Sequence, residues 1–166
     1  KIPNSVNLDI NEEVGPDILH DLNVFPYPLN DNEFDEIHLN NVLFQLNDVF
    51  LVMKEIHRIV KLNGKVIIKC AYFRSNYAYH YPGSKNNFTV SSFSFFDPDH
   101  IFYKKFKYTK IKFKTEKISF NDNFNSGILK KILILFANKF PHIYENNFSQ
   151  ILPLDEIKYE LKKIIT

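Results

Sequence analysis

The stretch DVFLVMKEIHRIVKLNGKVIIKC, residues 48–70, leaves the chain few folds to choose from. Val49, Val52, Met53, Ile56, Ile59 and Val60 recur at the three- and four-residue spacing that lines one face of a helix, which predicts a helix over 48–61. Asp48 stands where an N-cap side chain takes up the first free amides, and Gly64 follows near the C-cap. Directly beyond, KVIIKC at 65–70 reads as a buried strand, and FDEIHLNNVL at 34–43 reads as another just upstream. A strand, a capped helix and a second strand make a crossover unit, right-handed in about 98% of cases. The chain is therefore expected to build a parallel sheet with covered faces.

Two shorter apolar runs precede this unit, VNLDI at 6–10 and DILHDL at 17–22, each followed by turn-forming residues; both read as buried strands and are expected to belong to the same sheet as 35–40 and 65–70. Residues 71–100 are rich in Tyr and Phe and read as an extended loop with a short helix near 91–96, beyond the strand ends where ligands of open α/β sheets lie. YKKFKYTKIKFKTEKISF, 103–120, alternates Lys with apolar residues and predicts one long, partly exposed strand with a bulge or turn near Thr109. GILKKILILFANKFP predicts a helix closed by Pro141, and LDEIKYELKKI a late helix or strand.

With 166 residues, 45% of them apolar, the chain is long enough for a single domain with a substantial core. It opens on Lys without a signal-like segment, and the expectation is one domain over 1–166 that is incomplete at its amino end. Its one cysteine, Cys70, excludes an internal disulfide framework and a cysteine-rich zinc site, which fits an intracellular, reducing compartment, cytoplasmic or organellar, and no structural metal. The apolar stretch at 128–137 is broken by two lysines and falls far short of the roughly 20 residues that span a bilayer. Charge is divided unevenly: residues 1–60 carry eleven acids against three bases, and residues 61–166 eight against eighteen. A basic half of this kind either meets an anionic partner such as RNA or is simply a solvated lysine-rich surface.

Asp9 ends the first apolar run. An acid there either caps a turn or, at the carboxyl end of a strand in an open α/β sheet, accepts hydrogen bonds from a ribose diol. Three segments bear on that choice: NLDIN, then GPDILHDLNVFPYPLNDNEFDEIHLNNVL, then LNDVFLVMKEIHRIVKLNGKVIIK. In order and spacing they resemble class I S-adenosylmethionine-dependent methyltransferases, in particular the type 11 methyltransferase group. The resemblance covers about 1–75, with weaker echoes in HYPGSKNNFTVSSFSFF and YENNFSQILPLDEIKYEL. It implies an α/β Rossmann-like methyltransferase fold, mostly parallel with an antiparallel last strand, whose first strand and glycine-rich turn would stand ahead of Lys1. It also implies S-adenosylmethionine as cofactor, with Asp9 and its neighbour Ile10 at the ribose, Asp21 and Leu22 at the adenine, and Asn40 and Asn41 toward the methionine end.

Where the group writes Leu-Glu-His-Leu this chain has Leu43-Phe44-Gln45-Leu46, and where it often writes Asp-Pro-Thr-His the chain has Tyr81-Pro82-Gly83-Ser84. Two acids and two histidines are thereby lost from the reaction side, and no catalytic residue is assigned; His20, His38 and His80 are the remaining imidazoles nearby. Methyl transfer depends largely on proximity and in-line orientation, so two functions stay open. One is S-adenosylmethionine-dependent methyl transfer to an unidentified acceptor. The other is a catalytically silent subunit of a larger assembly, protein or RNA, engaged through the basic half.

Overall fold

The computed structural model describes residues 5–121 and 127–165. Its centre is the crossover unit. Strand β3 (Phe34–Asn40) leads through a 3₁₀ turn at Leu43–Gln45 to helix α1 (Val49–Ile59), and strand β4 (Val60–Ala71) returns parallel to β3. Asp48 caps α1 by accepting hydrogen bonds from the amides of Phe50 and Leu51, at 2.8 and 3.0 Å. The helix buries Val52, Met53, Ile56, His57 and Ile59. It stops two residues earlier than its apolar spacing predicts, because Val60 already pairs with Phe34 as the first residue of β4. Gly64 is accordingly not a C-cap. It lies in β4, where a Cβ would stand 2.8 Å from Val60 Cγ2 and 2.9 and 3.0 Å from the carbonyls of Lys61 and Asp35, so only glycine lets the strands close here.

The main sheet has the order β3-β4-β6-β5, with β5 spanning Phe113–Asn121 and β6 spanning Glu156–Lys163. Because β6 is antiparallel to both β4 and β5, three strands run one way and the last strand runs against them. One face of this sheet carries Val66, Ile68, Cys70, Ile157, Tyr159 and Leu161, all buried, and packs under α1 and the aromatic residues Phe88, Phe93, Phe96 and Phe113. Strands β1 (Leu8–Asp9) and β2 (Ile18–Leu19) pair with each other in parallel but form a separate two-stranded sheet. The four early strands thus do not share one sheet among the described residues, contrary to the expectation from their order.

The second half departs from expectation in two places. Residues 91–96 are a series of turns and not a helix; the helix falls later, as α2 (Ile101–Phe106), inside the stretch expected to be a strand. His100 caps it, its Nδ1 accepting from the Phe102 amide, and Phe95 packs against Phe102, Phe106 and Tyr108. The i, i+4 pair Phe102 and Phe106 thereby outweighs the strand-like alternation of lysines. Lys107 ends α2 in the left-handed region, and the bulge in β5 lies between Thr115 and Lys117, not at Thr109. Helix α3 (Ile128–Lys139) ends before Pro141, which opens α4 (Pro141–Asn147).

Candidate functional site

A cleft of ≈ 190 Å³ opens beyond the carboxyl ends of β3 and β4, lined by Asn41, Phe44, Ala71, Tyr77, Ala78, Asn86, Asp155 and Glu156. Open α/β sheets bind their ligands at this place, because strand ends leave backbone groups and short loops facing outward. Asn41 sits there in the left-handed region, φ 49°, with its amide tied to the Lys69 carbonyl at 2.9 Å. The turn is one that asparagine tolerates better than other side chains. Asn40 is the last, exposed residue of β3.

Two loops make the walls. Asn86 donates through Nδ2 to the carbonyls of Leu43 and Leu46, at 3.1 and 2.7 Å, while the amides of Lys85 and Asn86 both donate to the Phe44 carbonyl. Opposite, the buried Ser75 accepts from the Tyr77 amide and donates to Asp155 Oδ1 at 3.4 Å, and the Tyr72 amide donates to the Asp155 carbonyl. This fixes two carboxylates, Asp155 and Glu156, at the mouth where β6 begins. Sequence reasoning read 154–164 as a late element and missed both; their adjacency to Asn41 spans more than a hundred residues and leaves no local signal.

Asp9 and Asp21 each use one oxygen for a local turn. Asp9 Oδ1 accepts from the Asn11 amide at 2.9 Å, and Asp21 Oδ1 accepts from the Asn23 amide and Nδ2 at 2.8 and 3.0 Å. The turn-capping role is therefore present at both residues. Among the described residues no protein donor meets Oδ2 of either one, and none of the hydrogen bonds there uses the Leu22 amide; the Leu22 carbonyl accepts from the Tyr27 hydroxyl at 3.0 Å. Ile10 is 65% exposed beside Asp9. The Asp21 turn is joined to the cleft wall: the Asn47 amide donates to Asn23 Oδ1 at 2.9 Å, and Lys85 Nζ donates to Asn47 Oδ1.

The imidazoles lie elsewhere. His20 binds the Val24 carbonyl, half-buried His38 pairs with Glu36, and His80 is exposed against the Tyr77 ring without lining the cleft. Burial pushes the Cys70 thiol far above its ordinary range, which leaves it an inert core residue. Among the described residues no cluster of three His, Cys, Asp or Glu is placed to hold a metal ion.

A sheet of order β3-β4-β6-β5 with a reversed last strand, and a cleft across its carboxyl ends, define the class: a Rossmann-like α/β methyltransferase fold. Within that class, residues 6–68 match the family described as Methyltransferase domain, the type 11 group. Solved structures agree in fold. An S-adenosylmethionine-dependent methyltransferase of Archaeoglobus fulgidus superposes with a TM-score of 0.54 at 15% identity, over 94% of this chain and 74% of its own. One of Mesorhizobium loti gives 0.54 at 12%, over 94% and 78%. A Haloferax volcanii methyltransferase in complex with the Trm112 methyltransferase activator gives 0.55 at 13%, over 88% of this chain and 60% of its own. Comparison with curated proteins found no match.

Proposed function

We propose that the chain is an S-adenosylmethionine-dependent methyltransferase domain, with the cofactor laid across Asp9, Asp21 and Asn41. The observation that carries this reading is the pair of aspartates, each with one oxygen committed to a turn and Oδ2 free of protein donors among the described residues. A ribose diol offers two donors for Asp9, and an exocyclic amine with a ring nitrogen suits Asp21 Oδ2 and the Leu22 amide. S-adenosylmethionine would supply an electrophilic methyl group on its sulfonium. The chain's own residues would hold and aim it: Asn40 and Asn41 would meet the methionine end, beside the apolar lining that Phe44, Tyr77 and Ala78 give the cleft.

At ≈ 190 Å³ the cleft is smaller than the ~300–1,000 Å³ of a whole drug-sized ligand site, which suits the methionine end or the acceptor and not the entire cofactor. Asp155 and Glu156 make that mouth acidic, so an acceptor bearing a positive or hydrogen-bond-donating group is favoured. The Trm112-bound neighbour supports a protein partner for this domain as well.

Calorimetry with S-adenosylhomocysteine on the full-length protein tests the reading. Hydrogen bonds to an ionised carboxylate contribute about 1.5–3 kcal/mol each, so Asp9→Ala is expected to weaken binding at least ~tenfold. Equal affinities would remove Asp9 from the ribose site, and an absence of binding by the wild type would turn the assignment to a silent, partner-binding module.

A further inference from the structure

Helix α3 turns its apolar side outward. Ile128, Leu129, Ile132 and Leu135 are 79, 84, 58 and 71% exposed, although Ala137 on the opposite side is fully buried. Phe136 carries the apolar surface onward, packing at a tilt on Phe140 and meeting the edge of Phe148, whose carbonyl accepts from the amides of Ile151 and Leu152. Ile151 is 80% exposed. Aliphatic side chains exposed to this degree along a single helix are a marked departure from the scattered apolar residues of an ordinary surface.

Between Gly127 and Leu154 the chain carries Lys130, Lys131 and Lys139 and a single acid, Glu145, whose carboxylate is occupied by the Tyr72 hydroxyl and the Val90 amide. The outward face of α3 therefore offers aliphatic carbon and the ammonium groups of Lys131 and Lys139. Protein–protein interfaces are depleted of lysine at their cores, and this face sets Lys131 and Lys139 among its aliphatic side chains. Pairing with a second copy would set lysine against lysine.

We propose that α3 and the Ile151–Leu152 turn dock on an anionic lipid bilayer, the aliphatic side chains entering the acyl boundary and the lysines resting among the phosphates. Helices with an apolar face flanked by lysines lie in the interface in this way. No helix among the described residues is long and apolar enough to cross the membrane, so the contact is peripheral. The same turn continues within four residues to Asp155 and Glu156, which places the cleft mouth close to the docked surface and extends the reading above toward acceptors held at a membrane. Docking itself does not depend on methyl transfer.

Co-sedimentation with vesicles of phosphatidylglycerol and phosphatidylcholine in equal parts tests the proposal, with phosphatidylcholine vesicles alone as the comparison. The protein is expected to pellet with the mixed vesicles and much less with the neutral ones. Ile132→Ser with Leu135→Ser should lower partitioning at least ~tenfold, and Lys131→Gln about fivefold. The sequence contains no tryptophan, so Leu135→Trp supplies a reporter in a folded protein whose emission should shift to the blue on the mixed vesicles. Wild-type protein left in the supernatant, or an indole emission from that variant unmoved by lipid, would overturn the proposal. So would a dimer in sedimentation equilibrium that the double serine variant dissolves, because the face would then belong to a second copy.

Discussion

His57 sits on the buried side of α1, edge-on to the Phe113 ring at 5.2 Å, where a periodicity count takes it for a polar residue. Burial, reinforced by the Lys163 ammonium, lowers its pKa to about 4, against a smaller opposing effect from a hydrogen bond with the Ile164 backbone. Lys163 is itself buried and donates to Asn32 Oδ1 and the Val60 carbonyl, so it keeps its charge close by. The folded state therefore holds this imidazole neutral, whereas an unfolded chain protonates it near the ordinary value of 6.5. Between those values the unfolded state binds more protons. The stability is present in full above pH 6.5 and falls as the pH drops toward 4, by on the order of 2–3 kcal/mol. Denaturant midpoints measured across that window should decline for the wild type and decline less for His57→Leu; identical slopes would place the acid lability in another group. Among the described residues, three of the four non-glycine residues in the left-handed region are asparagines, Asn32, Asn41 and Asn63, in a chain with only four glycines. Asparagine is the side chain that best replaces glycine in such turns, which gives the abundant Asn a local role that composition alone does not reveal.

Elements were legible where one pattern had no competitor. The cap at Asp48, the stripe on α1 and the β-branched run of β4 all point to one structure, and all three are found. Because Ile56 is only 2% exposed beneath that helix, Ile56→Ala is expected to cost about 2–5 kcal/mol. A melting curve that does not move would remove Ile56 from the core face. Where two periods overlap, the sequence does not decide. Residues 101–110 satisfy a strand alternation through their lysines and a helical one through Phe102 and Phe106, and the contact with Phe95, a tertiary fact, selects the helix. Lys105, Lys107 and Lys110 are exposed as a lysine-rich surface requires, while Lys112 and Lys114 are half-buried and Lys114 is bridged to Asp97 and Asp99. The candidate site divides in the same way. Asn41 enters only through the family resemblance and lines the cleft, whereas Tyr77, Asn86, Asp155 and Glu156 reach it through long-range contacts.

At the scale of the whole molecule, a polar hub lies where two parts of unequal strength join. Strand β4 pairs on both sides, with β3 and with β6, and its buried face lies at the middle of the core. Among the described residues strands β1 and β2 pair only with each other, over two residues each, and leave Ile10, Leu19 and Val24 exposed. The connection from this smaller part to β3 is tied to α1 by Arg58, which donates to the carbonyls of Tyr27 and Leu29 and to the carboxylates of Asp31 and Glu55, while Glu55 also accepts from the Tyr27 amide at 3.0 Å; the Asn47 amide on Asn23 and the packing of Leu22 and Tyr27 on the core add to it. Burial works against ionisation of Glu55, but the bonds from Arg58 and the Tyr27 amide outweigh it and hold the carboxyl below the ordinary range. Stability that runs through such a hub is lost locally before the core opens, since regions with few buried apolar contacts unfold at lower free energy than the global transition. In native-state hydrogen exchange the amides of Val66, Ile68 and Cys70 should exchange only through global unfolding. The His20 amide, which donates to the Asp9 carbonyl at 2.9 Å, should exchange through a local opening several kcal/mol cheaper. Arg58→Ala should widen that gap, because it leaves the largely buried Glu55 carboxylate without its partner. Equal protection at Ile68 and His20, before and after the substitution, would show one cooperative unit and place the connection between the two sheets outside the Arg58 hub.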